Sequence, residues 1–490
     1  MAGATLASRP IAILSMIVLA RLLDPADFGL IALASVLFGT AQLFSGLGMA
    51  QALIQSQRDV RLVAFQAFFI TCLSGLFLFL LLNWRIDFFA TLLGNRELAP
   101  ILRWMSLLLL FNTLALVPEA ILRRDLQFGR VSVAMIVNNG MTNLVAIILA
   151  FLGFGLWSLV WGQLSGALAR MLLLWFSTDG WYWLRPQRLN RTILGEIIPY
   201  GLKATSGGLV NFVNSNWDDW YVGRILGAAA LGFYDKAYNL TNGTIAGLNT
   251  SILNGVFMPS YARIQNDPAR LKRAYLKGLG LSAMLMAPLS MGVFAVAPEM
   301  VIVLFGDKWV PMIPTLQVFA FMALARPLAA STSPLFRAIG KPELDLQGGI
   351  VVLVTMIPMI LYMIGWGIEG VATAVVLSFV FGLLFNIYKL NSLLPGVARE
   401  MIPAVAPSLV SSALMVGAVM LTRVLLHQSA AGLTQWMVLL ILVIVGGVAF
   451  AVSGYLMQRT LIHELGTTLV EALPGNRLLA RIHRGPAVKA

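Results

Sequence analysis

Apolar residues run along this chain in long blocks separated by short polar joints. The blocks lie near 4–23, 28–54, 63–82, 99–118, 131–152, 156–176, 198–222, 231–258, 274–298, 314–334, 344–364, 368–388, 402–422 and 434–457. Each comes close to the roughly 20 residues that carry a helix through a bilayer core of about 30 Å. The pattern predicts an all-α polytopic membrane protein with about 14 transmembrane helices. The joints are too short to fold into a soluble module, so the helix bundle itself must perform the function.

Composition sharpens this reading. Apolar residues make up 59% of the 490 positions and charged residues 11%, with a mean hydropathy of +0.84. An ordinary soluble domain carries about 25% charge, so a water-soluble enzyme is excluded. With both termini placed in the cytoplasm, 24 of the 34 lysines and arginines fall on the inner side and 8 on the outer. Cytoplasmic loops hold such an excess. The net charge of +13 therefore marks membrane topology and not a nucleic-acid surface. Cys72 is the single cysteine, which leaves no intrachain disulfide, and His427, His463 and His483 lack ligand spacing. No metal, cofactor or Walker-type nucleotide loop is expected. The first block has no small-residue cleavage site after it and reads as a span, not a signal peptide.

The chain repeats itself. Ala20-Arg-Leu-Leu-Asp-Pro-Ala-Asp-Phe-Gly29 aligns with Gly223-Arg-Ile-Leu-Gly-Ala-Ala-Ala-Leu-Gly232 at an offset of 203. Leu152-Gly-Phe-Gly-Leu156 aligns with Ile364-Gly-Trp-Gly-Ile368 at 212, and Ala120-Ile-Leu-Arg123 with Pro334-Leu-Phe-Arg337 at 214. The expected architecture is two parallel six-helix repeats, an N-lobe and a C-lobe around a central cavity, plus two extra C-terminal helices. The division is 1–190 for the N-lobe, 191–395 for the C-lobe, 396–457 for the added pair and 458–490 for a basic tail. In that tail Ile462, Leu465, Leu469 and Leu473 recur at helical spacing before Arg477, Arg481 and Arg484, which suits the inner-leaflet surface or plain solvation. Two equivalent bundles that rock against each other make a transporter.

Charge inside the spans names candidate residues, because an ionisable group in hydrocarbon seeks a wet cavity or a partner. Lys203 and Arg326 lie within apolar blocks beside Pro199, Gly201 and Pro327, where broken helices are expected, and are read as cavity-lining, with structural pairing as the alternative. Arg21 and Arg224 occupy equivalent span ends; they either anchor the outer interface or add charge to the cavity mouth. Asn211, Asn214 and Asp218 form a polar stripe on the seventh span, suited to a sugar or to helix adhesion. Asp218, Asp219, Arg224, Asp235 and Lys236 are expected to form a local ion network. Cations exceed unpaired carboxylates in the bundle, which suits a phosphate or diphosphate.

Four stretches resemble the polysaccharide exporters of the multidrug/oligosaccharidyl-lipid/polysaccharide flippase superfamily, in particular the colanic-acid-exporter-like branch. They are Val18–Gly29, Arg224–Tyr234 with Ala237–Asn239, Pro259–Gln265, and Leu304–Trp309 followed by Ile313–Gln317. The resemblance implies a non-enzymatic flippase for an undecaprenyl-diphosphate-linked oligosaccharide. Its implied partners are that lipid-linked glycan, membrane lipids, and a polysaccharide polymerase with its chain-length machinery. The chain departs from the family pattern at its start, where the cytoplasmic segment before the first span is nearly absent, and no motif names the sugar. A cation-coupled antiporter of the same superfamily is the alternative, disfavoured by the lack of an unpaired carboxylate in an early span. A membrane glycan polymerase or ligase ranks below both.

Overall fold

The computed structural model describes residues 2–241, 257–429 and 433–457, so the basic tail lies outside the described residues. The described elements are helical. In order they are α1 (Ala2–Leu22), α2 (Pro25–Gly46), α3 (Met49–Gln55), α4 (Val60–Trp84), α5 (Ile86–Leu92), α6 (Leu98–Met105), α7 (Leu107–Arg124), α8 (Phe128–Phe151) and α9 (Leu156–Ser177). The second half contributes α10 (Arg191–Tyr221), α11 (Ala228–Tyr238), α12 (Met258–Arg263), α13 (Pro268–Phe305), α14 (Ile313–Ala330), α15 (Thr332–Ala338), α16 (Glu343–Met363), α17 (Gly367–Leu393), α18 (Val397–Ser429) and α19 (Gln435–Met457). Ten stretches of the described chain are long and apolar enough to cross a membrane, and one of them, Glu343–Leu393, holds both α16 and α17. This is a multi-pass membrane protein.

Local chemistry explains several of the boundaries. Side chains of Asp59, Asn190 and Asp267 accept hydrogen bonds from the first-turn amides of α4, α10 and α13, satisfying donors that a helix leaves orphaned. Gly94 and Gly306, 212 positions apart, follow α5 and α13 with φ of 83° and 92°. That left-handed backbone suits glycine at a helix end.

One expectation is corrected. α10 does not break at Pro199 or Gly201 but runs unbroken for 31 residues. Proline removes one intrahelical hydrogen bond, and the remaining ladder carries the helix past it. Gly201 serves a close crossing instead: a Cβ there would sit 2.2 Å from the Leu47 carbonyl oxygen. At its far end α10 passes into a single π-helical turn, Val222–Leu226.

Packing is asymmetric along the bundle. At the end holding the α1–α2 hairpin, both repeats share one core. Leu19, Phe28, Leu93 and Leu102 of the first repeat pack with Val222, Tyr234, Phe305, Trp309 and Phe319 of the second. Fully buried Trp309 crosses this seam, its Nε1 donating to the Ala20 carbonyl at 2.8 Å. At the opposite end the buried residues fall into two clusters, Met49, Val63, Ile121 and Trp183 with Ile193 and Ile197 from the start of α10 in one, Tyr275, Leu335, Phe336 and Leu390 in the other. Dispersion and burial therefore hold the lobes together chiefly at one end. The bundle is sealed there; at the other end, here the split end, the lobes meet along the first turns of α10.

Candidate functional site

The split end holds two cationic cavities, one in each repeat. In the second repeat a cavity of about 630 Å³ is lined by α10, α14, α15, α16 and α17. Arg326 of α14 projects into it, donating from Nη1 to the Tyr238 hydroxyl at 2.7 Å while its guanidinium lies 5.3 Å from the centre of the Phe379 ring. Among the described residues no carboxylate forms a salt bridge with it. Arg337, also on the lining, pairs with Asp345 at 3.0 Å, and Ser333 donates to the same carboxylate at 2.7 Å. Asn214 donates to the Gly349 carbonyl at 3.0 Å. Its Oδ1, like that of Asn386, is buried in the cavity wall with no partner among the described residues. Unsatisfied acceptors beside a guanidinium that forms no salt bridge fit a polar ligand.

The first repeat builds a matching cavity of about 320 Å³ between α2, α3, α7 and α9. Glu119 bridges two arginines: Oε1 accepts from Arg123 at 2.6 Å, and Oε2 accepts from Arg170. Arg170 also donates to Asn112 Oδ1 at 3.1 Å. At the repeat offset of 214, Asn112 corresponds to Arg326, Glu119 to Ser333 and Arg123 to Arg337. Each cavity thus sets two guanidiniums against one carboxylate, though the residues supplying them differ. The sequence reading singled out none of these three residues, and so missed this triad. The available signals were the i,i+4 spacing of Glu119 and Arg123 and the position of Arg170 well inside an apolar run.

The other predicted residues lie elsewhere. Lys203 is exposed on α10 and lines neither cavity. The side chain of Asn211 is outside the described residues. Asp218 is buried toward the sealed end, where its Oδ2 accepts from the Tyr234 hydroxyl at 2.6 Å. Arg21 and Arg224 each reach across the seam. Arg21 donates from Nε to the Leu304 carbonyl at 2.9 Å and from Nη2 to that of Val303 at 2.5 Å. Arg224 donates from Nη1 to the carbonyls of Thr91 and Leu92, the former at 3.1 Å. These acceptors are the last carbonyls of α13 and α5, and a helix C-terminus favours a cation. The expected network around Arg224 is accordingly smaller: Lys236 pairs with Asp235 at 3.8 Å, and Arg224 is drawn off to the opposite lobe by the free carbonyls it can cap.

At the split end an exposed ion pair also crosses the lobes, Arg58 Nε donating to Glu196 Oε2 at 2.7 Å. That hydrogen bond lowers the Glu196 carboxyl below its usual range and raises the Arg58 guanidinium.

Paired helical bundles that hold cationic cavities among apolar spans define a multi-pass membrane transporter. The chain belongs to the polysaccharide biosynthesis protein family, whose model matches residues 18–314. It is 26% identical to the lipopolysaccharide biosynthesis protein WzxC of Escherichia coli (strain K12), over 76% of this chain and 75% of that one. It is likewise 26% identical to the succinoglycan biosynthesis transport protein ExoT of Rhizobium meliloti (strain 1021), over 66% of this chain and 65% of the relative. Among solved structures, the lipid II flippase MurJ in an inward closed conformation superposes with a TM-score of 0.77 at 16% identity, covering 94% of this chain and 99% of that one. An inward-facing multidrug resistance transporter of the MATE family gives 0.64 at 19% identity, over 78% and 94%. At these identities the structural likeness speaks for the fold.

Proposed function

We propose that this protein flips a lipid-linked oligosaccharide, carried on an undecaprenyl diphosphate, from the inner to the outer leaflet of the bacterial inner membrane. The observation that carries the reading is the excess of guanidinium over carboxylate in both cavities of the split end. Arg326 supports it most directly, because it lies in a polar cavity and forms no salt bridge with a carboxylate among the described residues. A guanidinium offers forked donors to phosphate oxygens. Arg337 and the Arg123–Glu119–Arg170 triad add charge that an incoming diphosphate can share. The names of the relatives WzxC and ExoT, a lipopolysaccharide biosynthesis protein and a succinoglycan transport protein, support the same cargo class.

In this reading the split end, which carries Arg58, Arg124 and Arg337, faces the cytoplasm and both termini lie on that side. Rocking of the lobes opens the sealed end and carries the cargo outward. The protein acts by transport without covalent chemistry, and an outer polymerase with its chain-length machinery consumes the product. The antiporter alternative needs a free carboxylate in the first repeat's cavity, where Glu119 is held by two arginines.

Deletion of the gene tests the proposal. Lipid-linked oligosaccharide should accumulate on the inner leaflet, and Arg326→Gln should fail to clear it while remaining in the membrane. No accumulation, with raised drug sensitivity in its place, would favour the antiporter.

A further inference from the structure

A third cavity, of about 370 Å³, lies in the seam between the lobes toward the sealed end. Helices α1, α2, α8 and α9 of the first repeat supply one wall, and α10 and α11 of the second supply the other. Its chemistry differs from that of the two arginine cavities. Among the described residues no arginine lines it, and its charged groups are Asp219, Asp235 and Lys236. We propose that this seam cavity receives the glycan of the lipid-linked cargo, separately from the diphosphate, and so sets which sugar is exported. The proposal rests on the flippase reading above.

Elimination narrows the ligand. A phosphate group would meet two carboxylates against one ammonium, with no guanidinium to grip it. A multivalent metal would find no cluster of three His, Cys, Asp or Glu ligands among the described residues. The cation position beside Asp235 is already filled by Lys236, whose Nζ lies 3.8 Å from the carboxylate and 3.9 Å from the centre of the Phe28 ring. A neutral, polar ligand fits this lining best, with a monovalent cation at Asp219 as the alternative that the test below decides.

The unspent hydrogen-bonding groups fit a polyol. Asn143 and Asn216 turn their Nδ2 back to their own helices, donating to the carbonyls of Asn139 and Phe212 at 2.9 and 2.8 Å. Each amide therefore keeps its Oδ1 for a ligand. Among the described residues neither the Gln163 amide nor the Asp219 carboxylate is engaged in a hydrogen bond or ion pair, and both line the cavity. Acceptors of this kind take up the vicinal hydroxyls of a sugar ring, and the apolar wall of Met16, Ile31 and Leu159 offers a surface to its C–H face. Gln163 and Asn143 belong to the first repeat, Asn216 and Asp219 to the second. A bound sugar would thus be gripped by both lobes while the seam is shut. It would lose one set of contacts when the seam opens, which couples recognition to release.

The test uses the full-length protein in lipid nanodiscs and two kinds of probe: farnesyl diphosphate, and farnesyl diphosphate bearing glucose, galactose or N-acetylglucosamine. At least one sugar-bearing probe should bind more tightly than the bare diphosphate. Asn143→Ala, Gln163→Ala and Asp219→Asn should each reduce that gain by roughly 2- to 10-fold, the effect of one lost hydrogen bond. Their affinity for farnesyl diphosphate itself should stay at the wild-type value, and size-exclusion profiles confirm that each variant is folded. The three substitutions lie on three different helices, so misfolding of one leaves the others to decide. A sugar gain that survives all three, or no gain with any sugar, overturns the seam site. So does sodium binding to the wild type, measured by calorimetry, that Asp219→Asn abolishes. Failure of the wild type to bind farnesyl diphosphate counts instead against the flippase reading, which separates the two.

Discussion

Gly29 and Gly232, at equivalent positions of the two repeats, each lie against the start of the other's helix. A methyl group on Gly29 would sit 1.7 Å from the Ala228 carbonyl oxygen, and one on Gly232 would sit 1.8 Å from that of Pro25. Pro25 and Ala228 are themselves 203 positions apart, the same offset as the glycines. The arginine bonds obey the same symmetry: Thr91 and Leu92, the acceptors for Arg224, stand 212 positions before Val303 and Leu304, the acceptors for Arg21. The sealed end is therefore one contact made twice, and opening it must break both copies.

Gly29→Ala should force the two helix starts apart, because the nearest neighbour of the new methyl is the Ala228 backbone, which cannot rotate away. Overpacking of this kind typically costs about 1–3 kcal/mol. A cysteine placed at Leu231 should become more reactive to an external maleimide in Gly29→Ala than in its parent. Unchanged labelling would mean that the seam absorbs the methyl without opening.

Arg21→Gln and Arg224→Gln should each loosen the same end by removing a donor from helix carbonyls. A hydrogen bond in this setting contributes roughly 0.5–1.5 kcal/mol, a shift of about 2- to 10-fold in the open population. The double variant should exceed either single. Cross-linking the two hairpins through cysteines at Asp24 and Gly227 should do the opposite and block transport; full activity in the cross-linked protein would argue against rocking.

The pair Arg58–Glu196 predicts a pH response at the split end. Glu196 has a lowered pKa relative to its usual 4.5, with the Arg58 hydrogen bond as the largest cause. Its contribution to clasping the lobes is present above that usual value and is lost as the pH falls through the lowered one. Accessibility of a cysteine at Ala52 should rise on acidification below the carboxylate range, and the rise should vanish in Glu196→Gln. High salt should mimic part of it, since the pair is exposed.

Glu119→Gln should destabilise the first repeat more than Arg123→Gln does, because it strands two guanidiniums in a partly buried site. Breaking a buried ion cluster from one side costs about 3–5 kcal/mol at full burial, and somewhat less here. Thermal midpoints of the two variants in the same detergent compare them directly; equal midpoints would show that solvent already screens the triad.

Transport should respond to membrane potential. A diphosphate diester carries about two negative charges, and each is worth about 2.3 kcal/mol per 100 mV. An inside-negative potential should therefore accelerate outward flipping in proteoliposomes. Indifference to an imposed potential at fixed ion gradients would remove the electrogenic part and leave the arginines a binding role alone.

What the sequence settles by itself is whatever short range can encode. Helices follow from apolar block length, and the repeat follows from motifs such as Ala20–Gly29 and its copy. The equivalence of Arg21 with Arg224 and of Gly29 with Gly232 is legible in the same way. Which neighbour each of them meets is not, since Arg21 lies 283 positions from Leu304 and Arg170 lies 51 from Glu119. Lys203 and Arg326 looked alike as cations inside apolar blocks. Only the tertiary structure separates them, because one sits on an exposed face of α10 and the other on the cavity face of α14. That difference is the rotational phase of each helix against its neighbours, and it is set by packing across the whole bundle, beyond the reach of any local pattern.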